Sequence, residues 1–95
     1  MGLLFEWDEE KNKKNIVKHG IGFDEASSVF NDGLAEIIDD PDHSEYEQRY
    51  LILGMSKKIR PLVVAFTERN NHIRIISSRL ATKNERRHYE EKRRN

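Results

Sequence analysis

The C-terminal third of this chain carries the feature that most limits its fold, two β-branched segments separated by a short turn. Residues 62–67 read LVVAFT and residues 73–78 read IRIISS, so each segment has the composition of a β-strand. Asn70 and Asn71 lie between them, and asparagine is one of the few residues that accept the positive φ of a tight hairpin turn. We therefore predict a β-hairpin in this part of the chain.

A helix-start signal follows the hairpin. Thr82 is followed three residues later by Glu85, which matches a capping box, and we predict a helix over residues 83–93. Guanidinium groups on a rigid sheet bind phosphate with a planar, two-donor geometry, so arginines here indicate RNA or DNA as a partner. A surface held together by salt bridges is the alternative. The arginines of the hairpin and of the helix start are Arg69, Arg74, Arg79, Arg86 and Arg87.

Length and composition indicate one small domain with an ionic surface. The chain has 95 residues, enough for one modest core, and we predict a single domain over residues 1–95. Apolar residues make up 36% of it and charged residues another 36%, so the core must be small. Cysteine is absent, which excludes disulfides and thiolate metal sites and is typical of a reducing cytosol. No apolar run approaches the ~18 residues of a membrane span and no export signal is visible, so we expect a cytoplasmic protein.

The charges are distributed unevenly although the formal net charge is zero. Residues 1–50 hold five Lys or Arg against thirteen Asp or Glu, and residues 51–95 hold twelve against four. If the fold interleaves the two halves, these charges neutralise each other locally. If it does not, the C-terminal half presents a basic face that attracts polyanions. The sequence leaves both possibilities open.

The first half of the chain reads as one strand followed by two helices. We predict a strand over residues 3–7 and a helix over residues 9–18, which Asp8 caps and Gly20 ends. A second, short helix begins near Asp24, because apolar residues recur there at helical spacing. These residues, which we expect in the core, are Phe23, Ala26, Val29 and Phe30.

Strand-like segments dominate the second half. The predicted strands span residues 34–38, 49–55, 62–67 and 73–78. With the final helix, the element order is β-α-α-β-β-β-β-α. This order predicts an α+β fold in which helices pack on one mostly antiparallel sheet.

A cluster of acidic residues between the second and third predicted strands is the place that most resembles a metal site. It comprises Asp39, Asp40, Asp42, His43 and Glu45. The spacing does not match a calcium-binding loop and Pro41 interrupts it, so we interpret the segment as a solvated acidic loop. The common nucleotide-binding and triad-hydrolase motifs are absent as well, and we predict neither a metal nor a cofactor.

Three basic residues have positions that indicate more than surface charge. His19 follows Lys18 at the end of the first helix, where the helix dipole favours a cation. It is either a capping residue or a functional group that transfers protons or contacts phosphate. Arg74 lies in the middle of a strand and must point away from the core or find a partner. Arg79 lies at the end of the same strand, where side chains often form sites.

Short motifs along nearly the whole chain are similar to those of one known family. In the N-terminal half they are Phe5-Glu6-Trp7-Asp8, Lys11, Asn15, Lys18-His19-Gly20, Phe23 and Glu25-Ala26. In the remainder they are Asp40-Pro41-Asp42-His43-Ser44, Glu47, Arg49, Thr67-Glu68-Arg69, Ile73-Arg74-Ile75-Ile76-Ser77, Arg79, Ala81-Thr82, Glu85-Arg86-Arg87 and Tyr89-Glu90. In this order and spacing, the set resembles the BrnT family of bacterial toxins. Ser78 and Leu80 depart from it, because alanine and often lysine are expected there.

The resemblance implies a fold, an activity and a partner. It implies a RelE-like fold and a ribonuclease toxin of a bacterial type II toxin–antitoxin system, which cleaves RNA without metal and inhibits translation. The implied partner is a BrnA-like antitoxin with a ribbon–helix–helix domain, through which alone the toxin would contact DNA. The alternatives are a non-catalytic module that binds nucleic acid or protein, and an inactive relative retained for its antitoxin contacts.

The resemblance, together with the chemistry of RNA cleavage, assigns roles to eight residues. His19 would transfer protons, and three arginines would stabilise the negative charge of a phosphorane. The candidate catalytic residues are thus His19, Arg49, Arg69 and Arg79. The candidate RNA-binding residues are Lys18, Arg74, Arg86 and Tyr89. Tyr89 either stacks on a base or packs the last helix on the sheet.

Overall fold

The computed structural model describes residues 2–40, 42 and 47–94, which form five strands and three α-helices. The strands are β1 (Leu4–Trp7), β2 (Glu36–Asp39), β3 (Tyr50–Met55), β4 (Pro61–Arg69) and β5 (His72–Leu80). The α-helices are α1 (Glu9–His19), α2 (Phe23–Ser28) and α3 (Lys83–Arg94), and a 3-10 turn, Val29–Asn31, extends α2. The predicted element order and the α+β fold class are confirmed.

The strands form one mixed sheet in the order β1-β5-β4-β3-β2. β2 pairs antiparallel with β3, β3 with β4, and β4 with β5, as their direct succession in the chain favours. β1 lies at the far edge and runs parallel to β5, a pairing that needs a long connection, which the intervening chain provides. The sheet is therefore mostly antiparallel, as predicted, and β1 and β2 are its two edges.

The local signals of the C-terminal third are confirmed. Asn70 and Asn71 have φ angles of 52° and 66°, so both take the left-handed conformation expected of the hairpin turn. Glu85 accepts a hydrogen bond from the Thr82 amide at 2.7 Å, and the Thr82 hydroxyl accepts one from the Glu85 amide at 3.2 Å. These reciprocal bonds are the predicted capping box, and they begin α3.

The hairpin also contains a β-bulge, which the sequence did not predict. Cα pairing passes from Ala65 opposite Ser77 directly to Phe66 opposite Ile75. Ile76 is therefore an extra residue in β5 with no counterpart in β4. A bulge of this kind reverses the alternation of side chains beyond it.

The hydrophobic core lies between one face of the sheet and the segment of residues 21–30. It comprises Ile21, Phe23, Ala26, Val29, Ile52, Leu62, Val64, Phe66 and Ile75. Phe30 is partly buried, and its ring lies edge-on to that of Phe66 with 4.9 Å between ring centres. Such aromatic pairs add about 0.5–1.5 kcal/mol beyond their buried area. The predicted apolar stripe is therefore confirmed as part of the core.

α1 has the predicted caps. The Asp8 carboxylate accepts hydrogen bonds from the amides of Glu10 at 2.8 Å and Lys11 at 3.3 Å. Gly20 ends the helix with a φ of 71°, a conformation that glycine adopts without steric cost. α1 thus begins at the predicted residue and ends at His19, one residue beyond the predicted end.

α3 is strongly polar and covers part of the sheet face that lies opposite the core. Tyr89 is its buried residue, and His88 contacts Glu36 of β2 with 2.7 Å between Nε2 and Oε2. Within residues 2–40 and 47–94, no helix has the length and apolar character that crossing a lipid bilayer requires.

Candidate functional site

β4 and β5 carry three of the predicted arginines on the sheet face opposite the core. Phe66 points into the core. The residues of β4 that lie an odd number of positions from it, which include Val63 and Arg69, therefore point to the other face. In β5, Arg79 lies opposite Val63, and Arg74 lies opposite another residue of the same set. Residues opposite each other in neighbouring strands share a face, so the three arginines lie on one surface.

Arg49 extends this surface at the start of β3. The ring of Tyr50 stacks on the core residue Phe66, with 5.4 Å between ring centres, so the preceding residue points to the opposite face. We refer to the surface that carries Arg49, Arg69, Arg74 and Arg79 as the arginine face.

The bulge at Ile76 is the reason that Arg74 and Arg79 share the arginine face. The two residues are five positions apart, and in a regular strand an odd separation places side chains on opposite faces. The extra residue between them shifts the alternation by one position. A periodicity argument from the sequence would therefore have separated these two arginines.

All four of these arginines are paired with carboxylates, and three of the pairs involve Glu47 or Glu6. Glu47 contacts Arg69, with 3.1 Å between Oε2 and Nη2, and Arg49, with 3.7 Å between Oε1 and Nε. Glu6 of β1 contacts Arg74, with 3.6 Å between Oε2 and Nη1. All of these side chains are partly exposed, although Arg49 Nε itself is buried. Exposed ion pairs contribute only about 0–1 kcal/mol to stability. A phosphate group can therefore replace these carboxylates at small cost.

Arg79 forms the shortest ion pair of the four. Its Nη1 and Nη2 donate to the two carboxylate oxygens of Glu85 at 2.7 and 3.1 Å, a geometry that arginine also uses for phosphate. The hydrogen bonds from Arg79, supported by the Thr82 amide, lower the pKa of Glu85 to about 2, although burial opposes the shift. Glu85 is therefore ionised at neutral pH, and it fixes Arg79 to the first turn of α3.

Three predicted residues lie at the end of the sheet instead of on the arginine face. Lys18 and His19 form the last turn of α1, and the carbonyl of the next residue, Gly20, accepts a hydrogen bond from Arg60 at 3.2 Å. Arg86 of α3 lines a shallow pocket together with Arg60. We refer to Lys18, His19 and Arg86 as the sheet-end group. In the part of the chain that the structure describes, no hydrogen bond or ion pair joins this group to the arginine face.

Asn15 links the two groups, a role that the sequence analysis missed. Its buried side-chain amide donates to the Ser78 carbonyl at 2.9 Å and to the Ile21 carbonyl at 2.8 Å, and accepts from the Ser78 amide at 3.1 Å. Beyond the end of β1, the Asn15 side chain thus makes the hydrogen bonds to the Ser78 backbone that a neighbouring strand would otherwise make. Since Ser78 precedes Arg79 and Asn15 lies one helical turn before His19, one amide side chain fixes the two candidate residues relative to each other.

Tyr89 packs α3 on the sheet, one of the two roles predicted for it. Only 4% of its surface is exposed, and its hydroxyl donates to the Asp32 carboxylate. Burial, reinforced by this hydrogen bond, raises the pKa of Tyr89 to about 12. Burial opposes ionisation of Asp32, yet hydrogen bonds from Tyr89 and from the amides of Met55 and Leu34 lower its pKa. The buried ring leaves no face open to a nucleobase.

Glu25 is a buried carboxylate to which the sequence motifs assigned no role. It is 4% exposed and accepts hydrogen bonds from Arg60 Nε at 2.9 Å and from the Ser56 hydroxyl at 2.7 Å. The hydrogen bonds from Arg60 lower its pKa against the effect of burial. The sequence signal that could have indicated this buried carboxylate was its position inside an apolar helical stripe. Like the pair of Glu6 with Arg74, this contact joins the acidic and basic halves of the chain, so the charges interleave at these sites.

The acidic segment does not form a metal site in the described part of the chain. Within residues 2–40, 42 and 47–94, no three His, Cys, Asp or Glu side chains are grouped to hold a metal ion. Two residues of the segment, His43 and Glu45, lie outside the described residues. Asp39 was predicted in a loop, and this is wrong, because pairing with Tyr50 makes it the last residue of β2.

Comparison with known proteins identifies a toxin family and a similar solved structure. A family model described as the ribonuclease toxin BrnT of type II toxin–antitoxin systems matches residues 7–85. The chain is also similar to the crystal structure of the Brucella abortus ribonuclease toxin BrnT, with a TM-score of 0.67 and 22% sequence identity over 86% of this chain and 100% of that chain. No curated protein matches the sequence. The structural likeness supports the α+β fold, whereas the RelE-like assignment stays a prediction.

Proposed function

We propose that this chain, which belongs to the BrnT family of ribonuclease toxins of type II toxin–antitoxin systems, cleaves RNA on its arginine face. The observation that carries the proposal is the placement of Arg49, Arg69, Arg74 and Arg79 on one face of the sheet. Arg79 lies four residues, about 13 Å, along the strands from Arg74. Guanidinium groups bind phosphate through two parallel donors, and strands hold them more rigidly than loops do. We infer that these fixed charges stabilise the reacting phosphate without a metal ion.

The proposed reaction is attack of a ribose 2′-oxygen on the adjacent phosphorus. A bond forms between O2′ and phosphorus, and the bond from phosphorus to the 5′-oxygen of the next nucleotide breaks. The products carry a 2′,3′-cyclic phosphate and a free 5′-hydroxyl. A base takes the proton of the 2′-hydroxyl, and an acid protonates the leaving oxygen. His19 is the candidate for proton transfer, because imidazole exchanges protons near neutral pH.

The cationic residues divide between charge stabilisation and positioning. Arg79 would stabilise the charge that develops on the phosphorane. Arg49 and Arg69, predicted to share this role, lie about 13 and 20 Å from Arg79 along the strands and would instead bind neighbouring phosphates. Arg74 and Lys18 would hold the RNA backbone on either side of the reacting phosphate. Phosphate oxygens would displace the carboxylates that pair with these arginines in the unbound chain.

The two groups of candidate residues suggest a path for the RNA. A strand that contacts both the arginine face and the sheet-end group has to cross the end of β5, where Arg79 lies. Arg86 would extend this path along α3. Tyr89 would contribute indirectly, because its buried ring and its bond to Asp32 hold α3 in place.

We further propose that the chain acts in the cytoplasm, inhibits translation through RNA cleavage and is neutralised by a BrnA-like antitoxin. The family description supports an antitoxin partner, since it assigns the toxin to type II toxin–antitoxin systems. The ribbon–helix–helix domain proposed for the antitoxin would provide the only contact of the complex with DNA.

Expression of the chain alone in a bacterial host tests the proposal. We expect growth to stop and cellular RNA to be degraded soon after induction, whereas co-expression of the antitoxin restores growth. Purified chain should convert RNA to fragments that end in cyclic phosphate. Normal growth and intact RNA in cells that contain soluble, folded chain would refute the ribonuclease proposal.

One observation favours the second candidate, a non-catalytic module. All four arginines of the arginine face contact a carboxylate, which is the pattern of a salt-bridged surface as well as of an unoccupied phosphate site. In that case the chain would bind RNA or protein without altering it. Gel-shift and cleavage assays on the same RNA separate the two, because a module shifts the RNA and leaves its length unchanged.

A further inference from the structure

An apolar groove lies between α3 and the sheet, on the same side as the arginine face. Its floor is formed by Ile38, Leu51, Leu53 and Val63, its rim includes His88, and its volume is about 290 Å3. Ile38 is 53% exposed although it lies among apolar neighbours. The groove therefore leaves room for apolar side chains of a partner.

β2 leaves a row of backbone groups unpaired beside this groove. The Asp40 amide donates to the Arg49 carbonyl at 2.9 Å, so the backbone groups of Asp40 and, by alternation, of Ile38 face β3. The N–H and C=O groups of Ile37 and Asp39 must then point away from the sheet. Among the residues that the structure describes, no strand pairs with this edge. An exposed edge with apolar side chains is a template for pairing with another chain.

The charge of the edge decides which partner can bind there. β2 carries Glu36 and Asp39, and Asp42 follows it closely in the chain, so an RNA backbone would be repelled. A second copy of this chain would bring the same acidic groups against each other, which is unfavourable across paired strands. The compatible partner is an extended protein segment that carries basic residues next to an apolar one.

We propose that this partner is the antitoxin, of which an extended segment adds to the outer edge of β2. One apolar side chain of that segment enters the groove at Ile38, and flanking lysines or arginines contact Glu36 and Asp39. Main-chain hydrogen bonds to an edge strand supply affinity, and the alternate side chains supply specificity. The existence of an antitoxin rests on the proposed function, whereas the location follows from the sheet edge and the groove.

Amide hydrogen exchange tests the edge in the unmodified chain, measured alone and with the antitoxin encoded beside it. The amides of Ile37 and Asp39 should exchange rapidly in the unbound chain and about tenfold or more slowly in the complex, because strand addition gives them acceptors. A complex in which both amides exchange as in the unbound chain would overturn the proposal. Protection of the β1 amides in place of the β2 amides would also overturn the proposal.

Two substitutions at one position distinguish the contribution of the main chain to antitoxin binding from that of the side chain. Ile37→Pro removes the outward N–H without breaking a hydrogen bond to β3, and edge strands tolerate proline. Ile37→Ala removes the same side chain and keeps the N–H. We expect Ile37→Pro to weaken antitoxin binding about ten- to 100-fold more than Ile37→Ala, because it leaves a partner carbonyl unpaired. Equal affinities of the two folded variants would contradict strand addition.

Ile38→Glu tests the groove, because it places a charge on the apolar floor. We expect antitoxin affinity to fall about 30-fold or more. Val17→Glu is the matched control, since Val17 is 88% exposed on α1, away from the groove, and this variant should bind like the parent. Full affinity of Ile38→Glu, or an equal loss in the control, would exclude the groove.

The two proposals fail in different assays. A chain that binds antitoxin with protection of β2 but leaves RNA intact refutes the ribonuclease proposal and supports the docking surface. A chain that cleaves RNA and binds antitoxin without protection of β2 refutes the docking surface and supports the ribonuclease proposal.

Discussion

Glu85→Gln removes one charge from the Arg79–Glu85 pair while keeping the size of the side chain and its ability to close the capping box. The pKa of Glu85 is lowered from 4.5 to about 2. Since one pKa unit corresponds to about 1.4 kcal/mol, this shift sets an upper limit of ~3.5 kcal/mol on the contribution of the charge. Exposure reduces it, because 31% of the Glu85 side chain and 41% of the Arg79 side chain are accessible to solvent. We therefore expect a loss of about 1–2 kcal/mol in the free energy of unfolding at pH 7.

The pH dependence of this loss follows from the direction of the shift. A carboxyl group whose pKa is lowered by folding stabilises the folded chain fully above its unfolded pKa of 4.5, and this contribution disappears as the pH falls towards 2. The stability difference between parent and Glu85→Gln should thus be constant above about pH 5, be much smaller at pH 2.5 and vanish only below about pH 2. Urea unfolding followed by the fluorescence of Trp7, repeated from pH 7 to pH 2.5, measures it.

Glu90→Gln is the matched control for this experiment. Glu90 lies exposed on the same helix, and among the described residues it has no hydrogen-bond or ion-pair partner. Its substitution should leave stability nearly unchanged at every pH. The reasoning is refuted if Glu85→Gln costs as much at pH 2.5 as at pH 7, or if it costs no more than Glu90→Gln.

Three further predictions concern the chemistry and the core. Arg79→Ala should reduce single-turnover cleavage about 10²–10³-fold at saturating RNA while RNA binding falls only modestly, and Arg79→Lys should restore little; a rate within a few-fold of the parent would show that Arg79 is not catalytic. RNA cleavage should persist in excess EDTA, and activity that chelator abolishes and a divalent ion restores would contradict metal independence. Ser78→Ala should raise the free energy of unfolding by about 1 kcal/mol, since the buried Ser78 hydroxyl has no hydrogen-bond partner among the described residues. An unchanged or lower melting temperature would count against this, and Ser27→Ala, whose exposed hydroxyl has a partner, is the control.

The arginine face shows where reasoning from the sequence reached its limit. The arginines themselves were visible, and their placement on a sheet was predicted. Their common face was not, because Arg74 and Arg79 are separated by an odd number of positions and only the bulge at Ile76 reconciles them. Their carboxylate partners, Glu6 and Glu47, come from distant parts of the chain, and strand register decides which acidic residue meets which arginine.

The sequence by itself determined the features whose causes are local. Asn70 and Asn71 accept positive φ wherever they stand, and the capping interactions of Asp8 and of Thr82 with Glu85 span at most three residues. The apolar stripe of α2 likewise had to be buried whatever it packed against. These signals gave the element order and the α+β class, because short-range hydrogen bonding and helical spacing do not depend on the rest of the fold.

The tertiary structure alone decided the contacts between residues that are far apart in sequence. Asn15 reaches Ser78, and Tyr89 reaches Asp32, across separations that no local pattern encodes. Whether such polar residues are buried and paired, or exposed, depends on how the sheet and the helices close on each other. The position of His19 relative to Arg79, and the open edge of β2 beside its groove, follow from that closure, because they arise only when the whole sheet is assembled.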